Sequence, residues 1–108
     1  MLGLYFHVPF CRGKCPYCDF YSQKIDRSLF APFAQAVARQ LEQTPFLNAD
    51  TLYFGGGTPA LLPPNCLNEI LQAAKLHFAP HCTPEITIEA NPAMLKQEGF
   101  AALHTLGF

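Results

Sequence analysis

A short apolar segment followed by an amphipathic helical segment occurs three times along this sequence of 108 residues. The predicted strands are residues 2–8, 51–54 and 85–90, and the predicted helices are residues 28–43, 64–79 and 94–106. Strands that alternate with helices form a parallel sheet, because each helix carries the chain back to the start of the next strand. The sequence therefore predicts an α/β fold of three consecutive strand-helix units.

The helices are predicted from apolar residues that recur every three or four positions. These are Phe30, Phe33, Ala34, Val37 and Leu41 in the first helix and Leu67, Ile70, Leu71, Ala74 and Phe78 in the second. Ser28 is the predicted cap of the first helix, Pro32 falls in its first turn, and Gly107 is the predicted stop of the third. Residues 85–90 alternate polar and apolar side chains, a period of two that indicates a strand.

In a parallel α/β sheet, ligands bind beyond the carboxyl ends of the strands. A loop with three cysteines, a run of glycines, and Glu89 with Asn91 follow the three predicted strands in turn. The sequence therefore predicts one site that gathers thiolates, open backbone and a carboxylate. Glu89 alone would be interpreted as a solvated charge at a strand end, and its position in register with the other two features favours a functional role.

The cysteine loop carries Cys11, Cys15 and Cys18 within eight residues. Three thiolates hold three irons of a cubane iron-sulfur cluster and leave the fourth iron open to an outside ligand, whereas an electron-transfer ferredoxin supplies four thiolates. Two other interpretations fit the loop by itself. One is a zinc site completed by His7 or Asp19, and the other is a dithiol with a spare cysteine.

The glycine run consists of Gly55, Gly56 and Gly57, followed by Thr58 and Pro59. Consecutive glycines let a backbone come close to a ligand and present its amides and carbonyls. The same run is also compatible with a loose turn that binds nothing.

Charge and cysteine usage exclude several classes of function. Seven Lys and Arg against eight Asp and Glu give a formal charge of -1, which is not the basic surface of a protein that binds nucleic acid or acidic membranes. No basic residues precede the apolar N-terminal stretch, and His7 and Pro9 interrupt it. We therefore expect no signal peptide, no membrane span and a cytoplasmic protein. In that compartment clustered cysteines favour metal binding, and the isolated Cys66 and Cys82 are expected to be ordinary thiols.

The four histidines do not form a recognisable ligand set. His77, His81 and His104 share no spacing, and we expect them at the surface. His7 precedes the cysteine loop and either faces the ligand or is a satisfied strand histidine.

Four segments together resemble the radical S-adenosylmethionine superfamily and, within it, the family of proteins similar to oxygen-independent coproporphyrinogen III oxidase. They are residues 5–11 (YFHVPFC), 15–20 (CPYCDF), 53–59 (YFGGGTP) and 88–92 (IEANP). The resemblance implies a partial (β/α) barrel, a [4Fe-4S] cluster and S-adenosylmethionine as cofactors, and an electron donor as a partner. The resemblance leaves the catalytic residues unassigned.

The resemblance also assigns site residues, position by position. The implied cluster ligands are Cys11, Cys15 and Cys18. The implied cofactor contacts are Gly56, Gly57 and Thr58 with the methionine amino and carboxylate groups, Glu89 with the ribose hydroxyls, and Tyr5 and Tyr17 as further contacts. A carboxylate is chemically suited to accept hydrogen bonds from ribose hydroxyls.

Position 20 favours one branch of the family. Proteins that resemble the oxidase carry a further cysteine two residues after the third cluster ligand, and this sequence has Phe20 there. The sequence thus resembles the haem chaperone subgroup, which binds haem and delivers it to haem proteins. Coproporphyrinogen oxidase activity in porphyrin biosynthesis is the alternative, and a non-catalytic zinc or structural fragment is an alternative of another class. No residue is assigned as a haem ligand.

Family members have a longer barrel and a C-terminal domain, whereas this sequence carries three strand-helix units. We therefore expect residues 1–108 to be the N-terminal half of a truncated radical SAM core domain. We also expect the fragment alone to be inactive, because the strands that would complete the site are absent from it.

Overall fold

Parallel strands and helices alternate along the chain in the computed structural model, which describes residues 2–11, 23–24, 26–80, 83–91 and 95–108. In chain order the elements are β1 (Gly3–Val8), β2 (Phe10–Cys11), β3 (Gln23–Lys24), α1 (Phe30–Gln43), β4 (Thr51–Gly56), α2 (Pro64–Lys75), β5 (Glu85–Ile88) and α3 (Gln97–Leu106). The predicted α/β class is confirmed, as are all three predicted helices and all three predicted strands.

The main sheet has the strand order β1-β4-β5, and both pairings are parallel. Its register places Tyr5 opposite Tyr53, and Tyr53 opposite Thr87. Because the three strands run in the same direction, the segments that follow Val8, Gly56 and Ile88 all emerge at one edge of the sheet. This edge carries Cys11, the glycine run and Glu89, whereas Cys15 and Cys18 lie outside the described residues.

One face of the sheet packs against the helices and forms the core. Val8, Leu52 and Phe54 are buried there, and they belong to a single apolar cluster with residues of α1 and α2. The opposite face is open: Tyr5 is 54% exposed and Tyr53 is 40% exposed. The period of two along each strand thus separates a core face from a face that is accessible to a ligand.

Two strand ends differ from the sequence prediction. The prediction ended the second strand at Phe54, but β4 continues through Gly55 and Gly56 because these residues pair with His7 and Val8 of β1. The third strand was predicted to reach Ala90, but β5 ends at Ile88. The first two glycines are therefore part of the sheet, and Glu89 is the first residue beyond it.

The first helix is not capped by Ser28 as predicted. A turn of 3-10 helix at Arg27–Leu29 precedes α1, and the carboxylate of Asp26 accepts a hydrogen bond of 3.1 Å from the Ser28 amide. An aspartate caps this turn because its side chain reaches the free amide two residues on. Pro32 lies in the first turn of α1, as predicted.

The other helices agree with the sequence prediction in their essential features. Helix α2 begins at Pro64 but ends at Lys75, earlier than predicted, because residues 77–79 pair with Ala49 instead and Phe78 lies beyond the helix. Gly107 ends α3 in a left-handed conformation with φ of 110°. The start of α3 is later than predicted, at Gln97, and Met94 lies outside the described residues. Among the described residues, no helix combines the length and the apolar character needed to cross a bilayer.

A short parallel pairing that the sequence did not predict closes the base of the cysteine loop. Phe10 pairs with Gln23 and Cys11 pairs with Lys24, so the chain returns to its starting point after the loop. The buried Phe10 ring also contacts Phe30 edge-on, at a centroid distance of 5.1 Å. The start of the loop is therefore anchored both to β3 and to the start of α1.

The prediction that His77 is a surface residue is wrong. Its side chain is 3% exposed, and its Nε2 lies 2.6 Å from the carbonyl oxygen of Leu41 in the last turn of α1. Since a carbonyl only accepts, the ring donates from Nε2, and the buried Nδ1 has no hydrogen-bond partner among the described residues. His77 thereby links the turn that follows α2 to the last turn of α1.

The predictions for His104 and Cys66 agree with the structure. His104 is exposed, as predicted. Cys66 is an ordinary buried thiol, as predicted, and burial raises the pKa of this thiol, with a smaller contribution from the charge of Glu69. His81 and Cys82 lie outside the described residues.

Replacing His77 with alanine is expected to destabilise the chain by about 2 kcal/mol, because the variant loses a buried hydrogen bond and leaves a cavity. The matched control is His104→Ala, which removes an exposed ring and should change stability by less than about 0.5 kcal/mol. Urea unfolding monitored by circular dichroism measures both. Equal stabilities for the two variants would show that the contact between His77 and Leu41 contributes nothing.

A comparison of two glycines tests the close pairing of β1 with β4. Gly56 has φ of 111°, and a Cβ there would lie 2.6 Å from the Val8 carbonyl oxygen. Gly107 has nearly the same φ but open space around it. We expect Gly107→Ala to lower the free energy of unfolding by about 1–2 kcal/mol, because alanine is strained in the left-handed conformation. Gly56→Ala should lower the free energy of unfolding by clearly more, because the backbone of Val8 must also move. Thermal unfolding measures both variants. A Gly56→Ala variant more stable than Gly107→Ala would contradict this packing.

Candidate functional site

The carboxyl edge of the sheet brings together the segments that the sequence assigned to one site. The amide of Gly57 donates to the Val8 carbonyl at 2.8 Å, and the amide of Thr58 donates to the Phe10 carbonyl at 2.7 Å. On the other side of β4, the amide of Glu89 donates to the Phe54 carbonyl at 3.0 Å. The ends of the three strands are thus linked side by side in the fold, and the convergence of the three thiolates with them stays a prediction.

These hydrogen bonds restrict what the glycine run can offer a ligand. The amides of Gly57 and Thr58 already donate to Val8 of β1 and Phe10 of β2, and the Thr58 carbonyl accepts from the Leu61 amide at 3.0 Å. The acceptors that this segment can present to a ligand therefore include the Gly57 carbonyl and the Thr58 hydroxyl. A protonated amino group is the natural partner of such acceptors. The implied contact of Gly56, Gly57 and Thr58 with a methionine moiety stays a prediction.

Gly55 forms a cradle on the open face of the sheet. A Cβ at this position would lie 2.6 Å from Oε1 of Glu89 and 2.7 Å from the hydroxyl oxygen of Tyr5. Both distances are shorter than a real side-chain atom tolerates, so only glycine lets these two polar groups lie directly over the backbone. The first glycine therefore makes room for a carboxylate and a phenol.

Tyr53 completes this group, although no role was predicted for it from the sequence. Its ring stacks on that of Tyr5, with centroids 5.9 Å apart and an interplanar angle of 18°. Partial burial raises the pKa of the Tyr53 phenol, and the nearby Glu89 carboxylate raises it further by hydrogen bonding and by its charge. The signal was present in the sequence: Tyr53 precedes Gly55 by two residues in a strand and so shares its face.

The side chains over Gly55 have a chemistry that suits a polyol. An exposed carboxylate accepts hydrogen bonds, and the flanking phenols of Tyr5 and Tyr53 both donate and accept them. A vicinal diol such as that of ribose presents two hydroxyl donors to a single carboxylate. The donor set of Glu89 and Tyr5 therefore fits the cofactor that the sequence resemblance implies.

His7 lies on the same open face, beside the glycine run. Its ring centroid is 6.3 Å from that of Tyr5, and its Cε1 would lie 3.1 Å from a Cβ on Gly56. Of the two interpretations left open for His7, its position favours the one in which the side chain faces the site.

A cavity of about 490 Å³ adjoins the site along the outer edge of β1. Tyr5 and His7 line it from the strand, and Phe33, Val37 and Leu41 of α1 form an apolar wall. The cavity is thus continuous with the group around Gly55 through the side chain of Tyr5.

The predicted metal ligands are placed only in part. The backbone of Cys11 is fixed at the end of β2 by its pairing with Lys24. Cys15, Cys18 and Tyr17 lie outside the described residues. Their predicted roles as cluster ligands and cofactor contact stay predictions.

Comparisons with known proteins agree with this architecture. A sequence model of the radical SAM superfamily matches residues 5–108. The heme chaperone HemW of Buchnera aphidicola subsp. Schizaphis graminum is 36% identical over 106 residues, which cover 92% of this chain and 28% of the relative. Anaerobilin synthase from Escherichia coli O157:H7 is 36% identical over 98 residues, which cover 80% of this chain and 21% of that protein.

A solved structure has the same fold. Coproporphyrinogen III oxidase (HemN) from Escherichia coli, a radical SAM enzyme, superposes with a TM-score of 0.80 at 25% identity, over 98% of this chain and 26% of that chain. The chain thus spans less than a third of the length of each of these three proteins. The match over residues 5–108, together with the parallel sheet and its carboxyl-edge site, shows that the chain belongs to the radical SAM superfamily.

Proposed function

We propose that residues 1–108 are the N-terminal half of a radical SAM core domain that binds a [4Fe-4S] cluster and S-adenosylmethionine. Membership of the superfamily implies both cofactors. The observation that carries the assignment to these residues is the cradle at Gly55, where the Glu89 carboxylate and the Tyr5 hydroxyl lie directly over bare backbone. When bound, the cluster and S-adenosylmethionine supply one-electron reductive cleavage of the sulfonium.

The residues of this chain have distinct roles in the proposal. Glu89 accepts hydrogen bonds from the ribose hydroxyls, and Tyr5 and Tyr17 are further contacts. The cluster is held by Cys11, Cys15 and Cys18, and the methionine moiety by Gly56, Gly57 and Thr58. The open face of the sheet orients the cofactor, while the apolar face and its helices exclude water from behind it.

For the full-length protein we propose a haem chaperone function, in which it binds haem and delivers it to haem-accepting proteins. Two observations support this: Phe20 in place of a further cysteine, and relatives that are named as heme chaperones, such as the Buchnera protein. The proposal assigns no haem ligand. Coproporphyrinogen oxidase activity is the second candidate, favoured by the structural match to HemN at a TM-score of 0.80.

Two measurements on the anaerobically reconstituted full-length protein separate these functions. A haem titration followed by visible absorption should saturate at about one haem per cluster-loaded chain. Incubation with S-adenosylmethionine, a reductant and coproporphyrinogen III should yield no protoporphyrinogen. Appreciable decarboxylation without haem binding would reverse the assignment, and zinc uptake with no iron would overturn the radical SAM function itself.

Gly55→Ala tests the cradle directly. The new Cβ would displace the ends of the Glu89 and Tyr5 side chains, which can rotate away, so we expect stability to change by less than about 1 kcal/mol. Affinity for S-adenosylmethionine should fall at least about tenfold, since the displaced groups no longer meet the ribose. Equilibrium binding to the reconstituted protein measures this effect.

Gly99→Ala is the matched control for Gly55→Ala. Its Cβ would lie 2.7 Å from Cδ1 of Leu95, again the end of a flexible side chain, but in α3 and away from the site. The control should bind S-adenosylmethionine like the unmodified protein. Equal affinities for all three proteins would refute the assignment of the cofactor to the cradle.

A further inference from the structure

Tyr53 is the one member of the group over Gly55 to which neither the sequence resemblance nor the proposed function assigns a role. Its ring lies in register with Tyr5 across the pairing of β1 with β4, and the two rings stack at 5.9 Å. Gly55, over which Oε1 of Glu89 lies, is two residues further along β4 on the same face as Tyr53, and the carboxylate contributes, after burial, to the raised pKa of the Tyr53 phenol. Tyr53 therefore stacks on one of the polar groups over Gly55 and shares the open face with the other.

We propose that Tyr53 is a positioning residue that holds the Glu89 carboxylate and the Tyr5 phenol in the orientation that receives the cofactor's ribose. The inference rests on the proposed function, because it takes Glu89 as the group that binds the ribose. It goes beyond that function by naming the side chain that sets the orientation of this carboxylate.

Glu89 needs such a partner because its own strand does not hold its side chain. The residue follows the end of β5, and its amide is fixed by the Phe54 carbonyl at 3.0 Å. Beyond that hydrogen bond, the side chain is exposed and has several freely rotating bonds. A donor at its carboxylate restricts those rotations before the ligand arrives, and preorganisation of this kind increases affinity.

Tyr53 is itself well placed to act as that donor. Its ring is held on one side by the Tyr5 ring, and stacked aromatic pairs prefer such offset geometries. Its backbone lies between β1 and β5 in the centre of the sheet. At 40% exposure, the side chain contributes little to the core, so its hydroxyl can be removed without unfolding the chain.

The test is a double-mutant cycle between Tyr53→Phe and Glu89→Ala in the full-length protein. Tyr53→Phe keeps the ring stack and removes only the hydroxyl, so it should weaken S-adenosylmethionine binding about fivefold, the equivalent of one hydrogen bond. In the Glu89→Ala background the same substitution should change affinity by less than about twofold. Circular dichroism checks that each variant is folded, and Phe100→Leu, an exposed aromatic substitution on α3, is the control that should bind normally.

A second readout needs neither cluster nor cofactor. Phenolate absorption at 295 nm, followed as a function of pH, reports the ionisation of the tyrosines. The difference between the parent protein and Tyr53→Phe isolates Tyr53. Because the carboxylate contributes to the raised pKa of this phenol, Glu89→Ala should shift its ionisation to lower pH.

The outcomes distinguish this inference from the function on which it rests. If Glu89→Ala weakens binding but Tyr53→Phe does not, Tyr53 has no positioning role and the proposed site stands. The positioning role would also be overturned if Tyr53→Phe had an equal effect on affinity in the parent protein and in the Glu89→Ala variant. The same holds if Glu89→Ala left the pH of Tyr53 ionisation unchanged. If Glu89→Ala binds S-adenosylmethionine with normal affinity, Glu89 does not bind the ribose, and both the proposed site and the positioning role of Tyr53 are wrong.

Discussion

The parallel pairing of β1 with β4 is the interaction on which the remaining features depend. It runs in register from Gly3 with Thr51 to Val8 with Gly56, and the Gly57 and Thr58 amides extend it beyond the strand ends. This pairing buries Val8 and Phe54 on one face and brings Tyr5 beside Tyr53 on the other. It also delivers the chain at Cys11 to the same edge as the glycine run. Core, open face and site thus follow from one register.

Two neighbouring glycines serve this arrangement in different ways. Gly55 leaves space for the side chains of Glu89 and Tyr5, whereas Gly56 leaves space for the backbone of Val8 and takes up a left-handed conformation. A side chain at the first position would displace groups that can rotate, while one at the second would displace the sheet. The glycine run therefore combines a functional requirement with a structural one, and the two can be separated by substitution.

The open face concentrates its polar chemistry in a small area. The Tyr5–Tyr53 stack lies on β1 and β4, and the Glu89 carboxylate follows the end of β5. In the proposed function one cofactor would contact the cluster with its methionine moiety and Glu89 with its ribose. Parallel sheets create such sites because every strand delivers its next residue to the same edge.

Chain order and periodicity, which the sequence determines by itself, were sufficient for the α/β class, the helix faces and the meeting of three strand ends at one edge. Local motifs such as residues 53–59 were sufficient for the family. The separate roles of Gly55 and Gly56, the place of Tyr53 and the burial of His77 were decided by the tertiary structure. Each depends on contacts between residues far apart in the chain, such as His77 with Leu41. Spacing along one segment carries no information about the register between two strands or about what covers a helix end.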